Sequence, residues 1–175
     1  TITYDLDGGS VDGENIIGYN SDDAEITLIN PIRTGYTFTG WTGTDLTDKT
    51  MEVIIPSGSY GNREYTANWI ANTYTVTYNA NGGTASKTED TATYDEEFNF
   101  ATVERKGYTF LGWATSAENA EAGTLADTAA VRGDMSLYAV WQADKANVGD
   151  VTGTYTDEDG TEKEIEILTK EEIED

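Results

Sequence analysis

The sequence predicts a mainly β chain: two tandem copies of one small module, followed by a shorter acidic segment. Three observations carry this. Gly35-Tyr-Thr-Phe-Thr-Gly-Trp41 returns as Gly107-Tyr-Thr-Phe-Leu-Gly-Trp113, 72 residues later. Tyr4-Asp-Leu-Asp-Gly8-Gly9 answers Tyr78-Asn-Ala-Asn-Gly82-Gly83, and Tyr65-Thr-Ala-Asn-Trp69 answers Leu137-Tyr-Ala-Val-Trp141. The anchors keep their order, so residues 1–71 and 72–142 are read as two modules and residues 143–175 as a tail.

Each element follows from local pattern. Residues 1–6 and 73–80 alternate β-branched or aromatic residues with polar ones, the period of a half-buried strand. Both runs end in a double glycine, where positive φ can turn the chain. A second strand is expected around Ile16, Ile17 and Tyr19 in the first module, and around Tyr94, Phe98 and Phe100 in the second. In the motif strand, Tyr36 and Phe38 share a face while Trp41, an odd number of residues on, falls on the other. Bringing Phe38 and Trp41 into one core requires an extra residue, so bulges are predicted at Gly40 and Gly112. Residues 46–56 and 124–132 are connectors, the latter expected to hold a helical turn from Leu125 to Val131 because it is rich in alanine. Closing strands lead to Trp69 and Trp141. In the tail, residues 151–156 and 161–168 form a hairpin around Asp157-Glu-Asp-Gly160, and Thr169-Lys-Glu-Glu172 has the form of a capping box. The tail is either part of a further domain or an acidic extension.

Modules of about 70 residues bury only roughly 60% of their unfolded surface, so large aromatics must supply much of the core. All four Trp lie in the repeated motifs. Each, fully buried, contributes on the order of 4–6 kcal/mol, from about 150–250 Å² at about 25 cal/mol/Å². With 10 basic against 33 acidic residues the net charge is −23. A polyanion repels phosphate backbones and anionic lipid surfaces, which disfavours nucleic acid and direct membrane binding, so neither nucleic acid nor membrane insertion is expected. Cysteine and histidine are both absent. That removes disulfides, thiolate chemistry, the usual general base and the commonest metal ligand. With no apolar run near 18 residues and a start at Thr1 without signal peptide, the chain reads as a piece of something longer.

The succession Tyr-x-x-x-Gly-Gly, Pro31-Ile-Arg33-Thr-Gly35-Tyr36-Thr37-Phe38-Thr39-Gly40-Trp41, and a Tyr-x-x-x-Trp ending resembles the Listeria–Bacteroides repeat, the family of the internalin B B-repeats. The second copy has Val103 in place of Pro31 but keeps Arg105, Gly107, Tyr108, Phe110, Gly112 and Trp113. The resemblance covers residues 1–142. It implies a β-grasp, ubiquitin-like fold, read here as antiparallel sheets with a short helix, secretion, and a place in large proteins of the bacterial cell surface or cell wall. It implies no catalytic residue, and it is silent on residues 143–175. The first module departs from the family pattern between Gly43 and Tyr65, where Pro56-Ser-Gly58-Ser-Tyr60-Gly61 stands. A private ligand site is sought there first, an ordinary turn being the alternative.

Candidate chemistry is sparse. Asp5-Leu-Asp7-Gly8 and Asp157-Glu-Asp159-Gly160 look like calcium loops but lack the spacing of an EF-hand, and hairpin turns explain them as well. Carboxylates are too numerous in this chain to mark a glycosidase pair. The double glycines lack the Lys and Ser/Thr of a phosphate loop. A Lys–Asn isopeptide bond needs a buried triad that sequence does not reveal. Arg33 and Arg105 precede Gly-Tyr at matching positions. Each either pairs within its module, with a carboxylate or by stacking on a tyrosine, or anchors an acidic glycan or peptide. The expected function is a non-catalytic stalk or spacer with possible adhesive contacts. The competing reading is a carbohydrate- or host-protein-binding module presenting Tyr19, Tyr60 or Tyr94. Ligand-binding candidates are therefore Arg33, Tyr60 and Arg105. No catalytic, metal or cofactor residue is expected, partners would be glycans or extracellular proteins, and the chain is expected to be a monomer.

Overall fold

The computed structural model describes residues 1–145 and 153–165. The first repeat contains β1 (Ile2–Asp5), β2 (Ile26–Thr27), β3 (Tyr36–Gly43), β4 (Ile54–Ile55) and β5 (Arg63–Ala71). The second contains β6 (Thr73–Asn79), β7 (Thr84–Ala85), β8 (Glu89–Thr93), β9 (Val103–Glu104), β10 (Tyr108–Ala114), α1 (Ala117–Glu121) and β11 (Met135–Ala143). A hairpin of β12 (Gly153–Thr156) and β13 (Glu162–Ile165) turns through Asp157–Gly160, as the sequence predicts. Val151, Leu168 and the Thr169–Glu172 capping box lie outside the described residues.

The two repeats share a sheet plan. Opening and closing strands lie side by side and parallel, β1 with β5 and β6 with β11, and the motif strand runs antiparallel on the far side of the closing strand. The orders are β1-β5-β3 and β10-β11-β6-β8. The sheets are therefore mixed where antiparallel ones were expected: the opening and closing strands of each repeat are joined by a long crossover and not by a hairpin, so they lie parallel. The bulges fall at the two glycines: the register slips between Phe38 and Gly40, and again between Phe110 and Gly112. Gly40, at φ 119, packs so tightly that a Cβ would lie 2.9 Å from the Thr50 nitrogen. The slip carries Trp41 onto the core face, where it is 0% exposed with its ring 5.5 Å from Phe38. Ile2, Leu28, Ile55 and Tyr65 close around it, while Val76, Tyr78, Leu137 and Ala139 do so around Trp113. Trp69 and Trp141 are half-buried, their indole N–H groups donating to the Leu6 and Ala80 carbonyls at 3.1 and 2.9 Å.

Three further expectations need correcting. Residues around Ile16, Ile17 and Tyr19 form no strand. Ile2 N–H donates to the Ile17 carbonyl at 2.8 Å, but Gly13, Gly18 and the side-chain turns of Asn20 and Asp23 draw this segment off the sheet. The corresponding strand β8 ends at Thr93. Asp95, at φ 60, turns the chain there, leaving Tyr94, Phe98 and Phe100 beyond it. The short helix occupies Ala117–Glu121 rather than residues 125–131. Ser116 caps it by accepting the Asn119 N–H at 3.1 Å, whereas Leu125–Val131 is tied down by Ala126 N–H donating to the Trp113 carbonyl. Alanine content is a weak signal over so short a stretch, and the helix forms where Ser116 caps it.

Candidate functional site

The most fully constructed feature outside the two cores is the joint between the repeats. Asn72 is the only residue separating β5 from β6, and its N–H, carbonyl and side-chain oxygen are all engaged. Its N–H donates to the Gly35 carbonyl at 2.9 Å and its side-chain oxygen accepts the Thr37 hydroxyl at 2.6 Å. Its carbonyl accepts the Tyr94 N–H at 2.9 Å, from the second repeat. Tyr94 is carried there by the end of β8 and is only 8% exposed. Its ring meets Tyr36 edge-on, with centroids 5.6 Å apart.

The rings are braced from both sides. The Arg33 guanidinium lies 3.9 Å from the Tyr36 centroid and pairs with Asp7 at 3.3 Å. On the far side, Arg132 donates to the Tyr94 hydroxyl at 3.0 Å. The Tyr36 hydroxyl donates to Asp95 at 3.1 Å, crossing between repeats. Burial, followed by this bond to the carboxylate, raises the Tyr36 phenol above its ordinary pKa, so it stays a donor. The order Arg33–Tyr36–Tyr94–Arg132 sets two rings between two cations across the boundary, each step contributing on the order of 0.5–1.5 kcal/mol.

The end of the second repeat is built the same way. Asp144 N–H donates to the Gly107 carbonyl at 3.0 Å, its carboxylate accepts the Thr109 hydroxyl at 2.7 Å, and Arg105 lies 3.7 Å from the Tyr108 centroid. Here, however, Gly107 and Tyr108 are exposed.

Of the residues singled out by sequence, Arg33 and Arg105 therefore sit at these two ends, each stacked on the tyrosine three residues on. Tyr60 stands apart on the 56–61 turn, 84% exposed. Tyr19 and Tyr94 do not join it in an aromatic platform. Tyr19 donates to the Gly61 carbonyl at 2.9 Å and accepts from Arg63 at 2.8 Å, and Tyr94 is buried in the joint. Sequence reasoning missed Gly35, Asn72, Tyr94 and Asp95 as a unit. A signal existed: Gly35 to Asn72 and Gly107 to Asp144 are the same distance apart, 37 residues, and both pairs are hydrogen-bonded. Among the described residues no group of three or more acidic side chains is placed to hold a metal ion, and no helix is long and apolar enough to cross a membrane.

Comparison with known proteins agrees with this organisation. The family model described as the Listeria-Bacteroides repeat domain matches residues 1–57 and 74–140. A protein of Evansella cellulosilytica named "Putative membrane protein" is 32% identical over 149 residues, covering 85% of this chain and 22% of its own length. A second from the same organism, "Putative Gly-rich membrane protein", is 34% identical over 162 residues, covering 81% of this chain and 18% of its own. The chain thus spans about a fifth of the length of these relatives. No solved structure matches it.

Proposed function

The chain belongs to the Listeria–Bacteroides repeat family, and from that premise we propose that it is a non-catalytic repeat region of a bacterial cell-surface protein, acting as a semi-rigid spacer. The observation that carries this reading is the joint: a one-residue linker whose carbonyl, N–H and side chain are all bonded, with Tyr94 and Asp95 of one repeat seated on Gly35 and Tyr36 of the other. A chain that only tethered two modules would need none of these contacts. The membrane-protein names of the much longer relatives support a surface location. The absence of His and Cys from the sequence supports a role without catalysis.

Residual dipolar couplings together with small-angle scattering test the spacer directly. A single relative orientation of the two repeats, fitting one elongated particle, is the expected result. Independent alignment tensors, or scattering that demands a broad ensemble, would refute it.

One observation keeps an adhesive role in play: Tyr60 is 84% exposed on a turn peculiar to the first repeat. In a screen against glycans and extracellular proteins, binding lost on Tyr60→Ala would establish that role beside the spacer, and binding indifferent to it would remove Tyr60 as the site.

A further inference from the structure

Between the turn at residues 44–46 and the loop at residues 52–59, the first repeat opens a groove of about 520 Å³, a size that suits a small ligand. Arg63 forms part of its wall, with a side chain only 10% exposed. A guanidinium carries five N–H donors. Here Nε donates to the Tyr19 hydroxyl, and Nη1 donates to Asp45 and, at 3.5 Å, to the Tyr65 hydroxyl. The two donors on Nη2 have no protein partner among the described residues. Unbonded donors on a nearly buried charged group are costly, so this pair takes an acceptor from outside the chain, water or a ligand.

The rest of the wall narrows what that ligand is. Asp45 spends one carboxylate oxygen on Arg63 and is 73% exposed, and Glu52 and Ser59 line the groove beside it. Ile54 and Pro56 give it an apolar side. An anion meets Glu52 and a guanidinium already neutralised by Asp45, within a chain of charge −23. An ammonium group meets Arg63 and leaves Nη2 unbonded, since it has no acceptor. Both sets of groups are satisfied by an uncharged molecule that donates and accepts along its edge and shows carbon–hydrogen faces. A sugar ring with adjacent hydroxyls has that pattern. The polar groups are side chains rather than a run of strand backbone, which sets the groove apart from one that reads an extended peptide.

The second repeat lacks this set. Ile2 pairs with Arg63 as Val76 pairs with Met135, and Tyr4 pairs with Tyr65 as Tyr78 pairs with Leu137. Met135 and Leu137 therefore stand where the first repeat has Arg63 and Tyr65.

We propose that the groove binds a neutral sugar, whose adjacent hydroxyls donate to Asp45 and Glu52 while a sugar oxygen accepts from Arg63 Nη2 and the ring packs on Ile54 and Pro56. This gives a ligand class to the adhesive reading of the turn that carries Ser59 and Tyr60, and it rests on that reading; the spacer role does not depend on it. A few hydrogen bonds set against lost hydration give an affinity on the order of millimolar for one sugar.

Nitrogen-15 NMR on the full chain tests the site by titration with methyl glycosides of neutral hexoses and N-acetylhexosamines, and in parallel with glucuronic acid and a trilysine peptide. The expected result is that a neutral glycoside shifts the amides of residues 45, 46, 52–54 and 59 and the Arg63 guanidinium signals, and that the two charged probes do not. Arg63→Ala is a poor test because it also frees Tyr19. Asp45→Ala and, separately, Glu52→Ala each weaken binding about ten-fold or more, as loss of a hydrogen bond to a charged group does, while the first repeat stays folded by its amide spectrum. No response to any neutral glycoside, shifts confined to other surfaces, a stronger response to either charged probe, or binding that survives both substitutions overturns the proposal. Glycan or protein binding that is lost on Tyr60→Ala but indifferent to the two groove substitutions also overturns it, and leaves the adhesive reading standing. Glycoside binding lost on the groove substitutions and unchanged by Tyr60→Ala upholds the groove and removes Tyr60.

Discussion

The Tyr94 ring of the second repeat rests directly on the backbone of Gly35 in the first: a Cβ placed on Gly35 would run into ring carbons Cδ1, Cε1 and Cζ. At φ 79 the position also disfavours an L side chain. One glycine therefore meets a local demand, the turn into β3, and a long-range one, the close approach of the neighbouring repeat.

Gly35→Ala is expected to open the joint while leaving both cores folded. Positive φ alone costs an alanine about 1–2 kcal/mol, so the informative control is Gly58→Ala, which has the same strain at φ 82 and open space around it. Dipolar couplings should show the repeats reorienting independently in Gly35→Ala and not in Gly58→Ala. Equal behaviour of the two variants would mean that the ring contact does not set the angle.

Trp41 and Trp69 should separate by mechanism. Trp41 is fully enclosed, so Trp41→Ala is expected to destabilise the first repeat by about 3–5 kcal/mol through lost burial and a cavity. Trp69 is half-buried and donates to the Leu6 carbonyl. Trp69→Phe should cost nearer 1 kcal/mol, the worth of that hydrogen bond. Urea unfolding followed by circular dichroism gives both values, and a Trp41→Ala midpoint equal to wild type would mean the core is elsewhere.

Much of each repeat was legible because its constraints are local. The odd spacing of Phe38 and Trp41 around Gly40 demanded a bulge, and the bulge is there in both copies. The helix was misplaced because helix propensity is a weak signal over seven residues, while the Ser116 cap that fixes it acts through one bond. The expected strand through Ile17 failed for a similar reason: Asn20 and Asp23 offer side-chain partners that compete with the sheet. The joint was hidden because Gly35 and Tyr94 meet only once both repeats are folded. Nothing in the neighbourhood of either residue announces the other.

Arg63 ties three side chains of the first repeat together. Its side chain, 10% exposed, donates to the Tyr19 hydroxyl at 2.8 Å, to Asp45 at 2.6 Å and more distantly to Tyr65 at 3.5 Å. Arg63→Ala leaves the Tyr19 phenol without its donor and removes an aliphatic stem from the core margin, an expected loss of about 2–3 kcal/mol. Asp45 is 73% exposed in the same pair, so Asp45→Asn should cost no more than about 1 kcal/mol. Equal losses from the two substitutions would place the energy in the ion pair instead.

Alkaline pH should unfasten the first repeat through Tyr4. Burial, and then the nearby Tyr65 phenol, push the Tyr4 hydroxyl up to about 12 from its usual 10.0. Its proton is also the one donated to the Ile16 carbonyl at 2.8 Å, a bond the phenolate cannot make. The folded state thus holds this proton more tightly than the unfolded chain does. Its contribution is complete below pH 10 and is lost as the pH climbs through about 12. Every Tyr and Lys adds to repulsion in that range, so wild type alone would not isolate the effect. Tyr4→Phe cannot ionise here: the stability gap between it and wild type should be constant below pH 10 and narrow steadily above it. Urea midpoints of both proteins across that interval supply the comparison, and a gap that stays constant to pH 12 would show that the Tyr4 phenol is not held in the protonated form by the fold.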